Sequence, residues 1–338
     1  MPLVHAVFAR TPAPTATPGM RQRAARRSVL VAAAATPLLG CMVPSDNARN
    51  SVHSQDSPNA ADEAPVVRML DVAGATLELQ FAPGLDAQLR EFALVWVRRS
   101  ASAVAAYFGR FPLPQVELLV VPADGDGVRA GVSYAEPSPW LRIRLGRETT
   151  PAHFSADWIL VHEMVHLALP RVPRSQQWLH EGIATYVEAL ARGQAGWVSA
   201  SSVWHAWMRE MPHGLPQSGD RGLDHTPTWG RTYWGGALFA LLADIGIRTR
   251  GTPGRGLQHA LRGVLAAGGD YRVAWPLLRI LATADAAVGQ TTLTDLYEQM
   301  KDSAAMTDLP ALWRDLGVTR GELRDDAPLA EVRRAILS

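Results

Sequence analysis

The chain has 338 residues, of which 47% are hydrophobic and 19% are charged. These fractions are close to the globular average, so they exclude a disordered, collagen-like or coiled-coil protein and allow one large domain or two small ones. Five arginines precede residue 41 without any acidic residue, and the rest of the chain carries 28 basic against 32 acidic side chains. This balance gives no reason to expect a nucleic-acid partner, which would require a basic surface.

The first 40 residues have the pattern of an export signal. Residues 20–27 (MRQRAARR) are basic, and residues 28–39 are apolar and small. This is the order of regions in a signal peptide, and the apolar run is too short to span a bilayer as a helix. We therefore predict that residues 1–40 are an export signal, with Met20 as an alternative start. The other interpretation is a buried apolar helix followed by a chance cysteine.

The tetrapeptide that ends at Cys41, Leu-Leu-Gly-Cys, resembles the bacterial lipobox. The resemblance implies that the signal is cut before Cys41 and that this cysteine becomes lipidated. The chain would then be held on a membrane of the bacterial cell envelope, facing the periplasm or the exterior. Residues 41–65 are polar and have almost nothing to bury, so they are expected to form a flexible tether.

Four segments of regular structure are predicted before residue 150. Residues 66–81 contain alternating apolar and polar positions and end at a Pro-Gly pair, as a strand does. Residues 86–108 have apolar residues at helical spacing between an aspartate and a glycine, which indicates a capped helix. Residues 115–121 and 140–145 are expected to be further strands, the second with one solvated face.

From residue 152 onward the apolar spacing is helical almost everywhere. The expected fold class is therefore α+β: a small N-terminal sheet with helices, followed by a mostly helical C-terminal part. We place the folded domain at residues 66–338. It divides into residues 66–190, with the sheet and the site described next, and residues 191–338.

The sequence His162-Glu163-Met164-Val165-His166 matches the HExxH motif of zinc enzymes. It lies in a stretch expected to be helical from about residue 153 to residue 169. Residues four apart lie on one face of a helix, so both imidazoles can bind the same metal ion. Glu163 is turned by about 100°, where its carboxylate can reach a water on that metal. The motif thus predicts one Zn²⁺ ion with Glu163 as the general base.

A second helix follows at residues 178–188 (WLHEGIATYVE), with Glu181 in its first turn. The loop at residues 170–177 contains two prolines and would turn the chain back, so that the two helices pack together. Two histidines and a glutamate are a recurrent ligand set of catalytic zinc, because three protein ligands leave one position for water. Glu181 is therefore the predicted third ligand.

Together, the HExxH motif and WLHEGIATYVE resemble the gluzincin branch of the zinc peptidases. Residues 233–248, which begin Tyr-Trp-Gly-Gly-Ala-Leu, are similar to a Tyr-Tyr-Lys-Gly-Ala-Leu segment of the glycyl aminopeptidase family. The resemblance implies a thermolysin-like zincin fold and a zinc metallopeptidase that acts on a peptide or protein substrate. It also gives Tyr233 the role of hydrogen-bond donor to the oxyanion of the reaction.

Two assignments remain open within the site. The family has asparagine where this chain has His180, and His180 is an alternative third ligand because only one of two adjacent helix positions can face the metal. His213 and His225 are rivals of Tyr233 as the oxyanion donor. Thr185 and Glu188 are candidates for hydrogen bonds that would support the metal-binding histidines.

The family's strand motif that recognises a free amino terminus is not found. Its place would be near residues 130–136, where only Glu136 could pair with an ammonium group. Aminopeptidase and endopeptidase activity therefore both remain open.

Three functions compete at this stage. The first is an exported, lipid-anchored zinc metallopeptidase. The second is an inactive peptidase-like scaffold or binding protein of the envelope, against which the intact Glu163 speaks, since metal binding alone does not require this carboxylate. The third is a zinc hydrolase that acts on a non-peptide amide. The sequence indicates neither the specificity nor the oligomeric state.

Overall fold

The computed structural model describes residues 64–338. The predicted signal, Cys41 and nearly all of the predicted tether lie outside the described residues. Within residues 64–338 the protein has one five-stranded mixed sheet near its N-terminus, followed by a mostly helical remainder. The predicted α+β fold class is confirmed.

The sheet has the strand order β1-β2-β3-β5-β4. Strands β2, β3 and β5 are parallel neighbours, whereas β1 and β4 run antiparallel at the two edges. The strands are β1 (Val66–Val72), β2 (Ala75–Phe81), β3 (Gln115–Ala123), β4 (Val128–Tyr134) and β5 (Trp140–Gly146). Strand β4 had not been predicted, and its edge position becomes important at the site.

The single strand predicted at residues 66–81 is wrong, because this segment is a hairpin. Ala73 and Gly74 have φ angles of 48° and 80°, and this left-handed pair reverses the chain between β1 and β2. Buried positions alternate on both sides of the turn, but they are even-numbered in β1 and odd-numbered in β2, and the prediction overlooked this shift of phase.

Eleven α-helices occur within residues 64–338, and several short helical turns connect them. They are α1 (Ala87–Phe108), α2 (Pro151–Ala156), α3 (Ile159–His166), α4 (Gln177–Gln194), α5 (Ala200–Glu210), α6 (Gly236–Arg250), α7 (Leu257–Ala266), α8 (Leu277–Val288), α9 (Thr292–Met300), α10 (Leu309–Leu316) and α11 (Ala330–Ile336). The turns include a 3₁₀ segment (Met211–Gly214) and a π-helical segment (Arg231–Gly235).

Helix α1 has the ends that the sequence predicted. The Asp86 carboxylate accepts a hydrogen bond of 2.7 Å from the Leu89 amide, and Gly109 ends the helix with φ 79°.

The continuous helix predicted from residue 153 to residue 169 is wrong. The chain forms two helices, α2 and α3, with a break at Asp157 and Trp158. The buried Asp157 carboxylate accepts hydrogen bonds from the amides of Ile159 and Leu160 and from the indole of Trp96. These bonds satisfy the first amides of α3, so a new helix starts there and carries the HExxH motif into the core.

The buried apolar residues form one continuous cluster that joins the sheet to the helices. Helices α4 and α6 approach closely where two glycines meet: a Cβ atom at Gly182 would lie 2.2 Å from the carbonyl carbon of Gly236. This approach places the π-helical segment, which directly precedes α6, against α4. No helix among residues 64–338 is long and apolar enough to cross a membrane.

Candidate metal centre

Helices α3 and α4 bring two histidines and one glutamate together in the interior. The Nε2 atoms of His162 and His166 lie 3.2 Å and 3.6 Å from the same oxygen, Oε2 of Glu181. All three side chains are buried, and one ligand atom of each lies within 4.8 Å of the others. The turn that follows α3 makes this possible, because it returns the chain so that α4 packs against α3.

The donor atoms fit a zinc ion. In a tetrahedral site with bonds of about 2.0–2.1 Å, neighbouring ligand atoms lie about 3.4 Å apart. The two measured nitrogen–oxygen distances, 3.2 Å and 3.6 Å, lie on either side of that value. Two imidazoles and one carboxylate also leave room for a fourth ligand, which is the usual composition of a catalytic zinc site.

The electrostatics of the three groups favour a cation. Burial alone would raise the pKa of Glu181, but the neighbouring histidines lower it to about 2, so the carboxylate is ionised at neutral pH. Burial lowers the pKa of His166 to about 4, which keeps its imidazole neutral. Burial acts in the same direction on His162, but the hydrogen bond and charge of Glu181 outweigh it and raise its pKa. Glu181 and His166 are thus in the ionised and neutral forms that bind metals, and a metal ion would bind at His162 in place of its proton.

His180, the alternative third ligand, has a different partner. Its Nε2 donates a hydrogen bond of 2.6 Å to the carbonyl oxygen of Pro170, and its ring packs beside those of His166 and Tyr271. Burial lowers the pKa of His180 to about 4, so it is a neutral donor in this bond. Glu181, by contrast, receives a bond of 3.4 Å from the Gln177 amide on the preceding turn of α4.

Glu163 lies between α3 and the edge strand β4. The Ser133 hydroxyl donates a 2.5 Å hydrogen bond to Oε2 of Glu163. Two residues earlier on the same strand, a Cβ atom at Gly131 would lie 2.6 Å from Cγ of Glu163 and 2.7 Å from Cγ2 of Ile159. Glycine at position 131 therefore allows the strand to approach the helix, and Ser133 orients the carboxylate.

Tyr233 lies in the π-helical segment, beside the histidines of the candidate metal site. Its ring centroid is 6.3 Å from that of His162, with the two rings nearly parallel. Of its rivals, His225 pairs with Asp302 at 2.8 Å, and both side chains are exposed. His213 packs on Trp229, which in turn packs on Tyr233. Tyr233 is thus the one of these three whose ring contacts a predicted ligand.

The loop at residues 211–235 is held by a buried ion pair. Arg231 lies 2.8 Å from the carboxylate of Asp220, and both side chains are at most 3% exposed. Arg231 also donates a 2.6 Å hydrogen bond to the carbonyl oxygen of Gly214. Close packing adds to this, since a Cβ atom at Gly230 would lie 2.2 Å from the carbonyl oxygen of His213. The loop that carries Tyr233 is therefore tightly fixed.

The predicted support of the histidines by Glu188 is wrong. Glu188 accepts a 2.6 Å hydrogen bond from Arg192, one turn later on α4. Within residues 64–338, the buried Nδ1 atoms of His162 and His166 have no hydrogen-bond partner, so Thr185 does not supply one either.

Sequence reasoning missed three residues at the site: Ser133, Gly131 and Tyr271. The Tyr271 hydroxyl lies 3.4 Å from the carbonyl oxygen of Ser133. Burial and the charges of Glu163 and Glu181 raise its pKa to about 12, so it is a neutral donor. In the stretch at residues 130–136, the sequence indicated only Glu136, whose exposed carboxylate pairs with Arg171 at 2.7 Å.

No family model and no curated protein matches the chain. Among solved structures, an aminopeptidase N family protein from Idiomarina loihiensis is 11% identical with a TM-score of 0.49, covering 80% of this chain and 49% of its own. An M1 zinc metallopeptidase from Deinococcus radiodurans is 16% identical with a TM-score of 0.48, covering 73% of this chain and 54% of its own. A mutant of that protein bound to a Tyr-Ser-Ala substrate has 14% identity and a TM-score of 0.46.

The chain spans about half the length of these solved structures. All three scores lie below 0.5, so the chemistry of the site is inferred from the residues of this chain alone.

Proposed function

We propose that the chain is a zinc-dependent metallopeptidase of the gluzincin type, in which His162, His166 and Glu181 hold one Zn²⁺ ion. The observation that carries this proposal is that two imidazole nitrogens lie 3.2 Å and 3.6 Å from one carboxylate oxygen. Glu163 follows directly after the first of these histidines on α3. A bound Zn²⁺ supplies Lewis acidity and lowers the pKa of water to about 7.

The residues around the ion have separate tasks. Glu163 accepts the proton of the attacking water and passes it to the leaving amine. The 2.5 Å bond from Ser133 holds the Glu163 carboxylate in one orientation, and this lowers the cost of reaching the reactive geometry. Tyr233 donates a hydrogen bond to the oxyanion, and a phenol does so without adding charge.

We also propose that the enzyme is exported and lipid-anchored. Residues 1–40 would be the signal, Cys41 the lipidated residue, residues 41–65 the tether and residues 66–338 the peptidase domain. Replacing the cysteine (Cys41→Ser) would remove metabolic labelling by a fatty acid and move the protein from the membrane pellet to the soluble fraction. Unchanged labelling would contradict the anchor and leave the zinc site untouched.

The decisive experiment measures zinc and turnover together. The purified chain, reconstituted with Zn²⁺, should hold one ion by mass spectrometry of the metal and should cleave members of a quenched fluorescent peptide library. Glu163→Gln should keep the zinc and lower kcat by about 10²–10⁴. Glu91→Gln, which changes an exposed glutamate on α1, is the control and should keep the activity.

Each alternative has its own result. A chain that binds zinc and cleaves no peptide but hydrolyses small amides would be the non-peptide hydrolase. One that binds zinc and hydrolyses neither would be a scaffold. A chain that retains no zinc after reconstitution would contradict the metal site itself.

A further inference from the structure

A row of aromatic rings leads from the metal-binding histidine to the protein surface. The Tyr233 ring lies 6.3 Å from that of His162, the Trp229 ring lies 6.4 Å from that of Tyr233, and the His213 ring lies 5.6 Å from that of Trp229. The inner end of this row is 1% exposed, whereas Trp229 is 40% exposed. The row thus connects the interior of the site with solvent.

The exposure of Trp229 is unusual for this protein. All eleven tryptophans lie within residues 64–338, and Trp229 alone among them is exposed. The tryptophans on α5, Trp204 and Trp207, are at most 2% exposed. Covering an indole with apolar surface lowers the free energy, and aromatic contacts stabilise the complex by about a further 0.5–1.5 kcal/mol. An exposed indole next to a reaction centre is therefore suited to bind a ligand.

The backbone around Trp229 keeps the indole in place. Gly230 packs on the carbonyl oxygen of His213 so closely that no side chain fits, and Arg231 forms the buried ion pair with Asp220. The Thr228 hydroxyl accepts a hydrogen bond of 3.3 Å from the Arg231 amide. Because the loop is already fixed, little conformational entropy is lost when a ligand packs on the ring.

We propose that Trp229 binds a large apolar side chain of the substrate, aromatic or aliphatic, close to the bond that is cleaved. This proposal rests on the proposed peptidase function. The indole is two ring-to-ring steps of 6.3 Å and 6.4 Å from His162, and an extended peptide advances about 3.3 Å per residue. The bound side chain therefore belongs to a residue within about four positions of the scissile bond. The ring supplies no charge, so it favours Phe or Leu over Asp.

The test compares peptides that differ at one position only. In each, one of about four positions on either side of the cleaved bond is Phe, Leu, Ala or Asp. With the zinc-loaded full chain, Phe and Leu should lower KM about tenfold relative to Ala at one of these positions. Trp229→Ala should abolish this preference, so that the ratio of kcat/KM for the Phe peptide to kcat/KM for the Ala peptide falls from about ten to about one.

Two variants serve as controls. Trp229→Phe keeps an aromatic ring and should retain most of the preference. Leu278→Ala removes another exposed apolar side chain, on α8, and should change nothing. A second measurement does not depend on turnover: in the zinc-loaded Glu163→Gln background, calorimetry should show that the Phe peptide binds about tenfold more weakly once Trp229 is replaced by Ala.

The outcomes separate this inference from the proposed function. If the wild-type chain cleaves peptides and Trp229→Ala keeps the same preference, the inference is wrong and the function stands. If no peptide is cleaved, the function fails, and the calorimetric comparison alone decides whether Trp229 binds the apolar side chain. A shift in oligomeric state on Trp229→Ala without a change in peptide binding would make the row an interface between copies of the chain and would overturn the inference.

Discussion

The two sides of the candidate site are built in different ways. On the sheet side, a regular edge strand, β4, presents Gly131 and Ser133 to Glu163 on α3. On the loop side, residues 211–235 have little regular structure and carry Tyr233 and Trp229. A strand next to a helix keeps its shape through backbone pairing, whereas the loop depends on the Asp220–Arg231 pair. The proposed general base is thus held by strand packing and a hydrogen bond, and the residues proposed to contact substrate depend mainly on a buried ion pair.

The largest expected effect is on the loop side. Asp220→Asn removes one charge of a pair in which both side chains are at most 3% exposed. Leaving the partner charge buried costs about 3–5 kcal/mol. We expect urea denaturation to show a loss of unfolding free energy of that size. Asp124→Asn breaks an exposed pair with Arg147 and should have little effect. Equal losses in the two variants would contradict the anchoring role of the buried pair.

On the sheet side, the free energy of unfolding should depend on pH through Asp157, which caps α3. Burial raises the pKa of this carboxyl from 3.8 to about 6 in the folded chain. Between these values the folded state binds more protons than the unfolded state, so the contribution of Asp157 to stability is complete below pH 3.8 and is lost as the pH rises through 6. The loss amounts to about 3 kcal/mol, at about 1.36 kcal/mol for each pKa unit.

The measurement is a difference, because other groups titrate too. The unfolding free energy of the native chain, minus that of Asp157→Asn, should rise by about 2 kcal/mol when the pH falls from 7 to 4. A difference that is independent of pH would show that the Asp157 carboxyl is ionised normally.

A smaller effect is expected from Ser133→Ala. This variant removes the 2.5 Å hydrogen bond to the Glu163 carboxylate. Hydrogen bonds to charged groups contribute about 1.5–3 kcal/mol, so kcat should fall by about tenfold to a hundredfold while the zinc content stays the same. Ser303→Ala, which removes an exposed hydroxyl on the loop after α9, is the control. A fall in KM alone would argue against an orienting role.

The smallest effect is expected from Gly131→Ala. The added methyl group would lie 2.6 Å from Cγ of Glu163, so the strand or the carboxylate must move. Overpacking of this kind costs about 1–3 kcal/mol of stability and should reduce kcat together with the thermal midpoint. Gly321→Ala adds a methyl group where no atom lies within 4 Å and should leave both unchanged. An unaffected Gly131→Ala variant would mean that the strand moves away without consequence.

Several parts of the fold were predictable because their signals are local. The cap at Asp86 and the stop at Gly109 defined α1, and the buried strand at β3 was recognised from a short apolar run. The break at Asp157 was missed because the apolar spacing continues through it. Its cause is a hydrogen bond to Trp96, 61 residues away, together with the two amides.

For the candidate site, the sequence supplied the residue types that a zinc ion requires, since HExxH on a helix and a glutamate on the next helix are both local patterns. It left His180 and Glu181 as alternatives, and it gave no sign of Ser133, Tyr271 or the exposure of Trp229. Those features depend on the contact of β4 with α3, on the contact of Tyr271 with β4 and on the packing of the loop at residues 211–235 against α4. The physical reason is that the hydrogen bonds and ring contacts of these residues join segments far apart in the chain, and only the packed core brings such segments together.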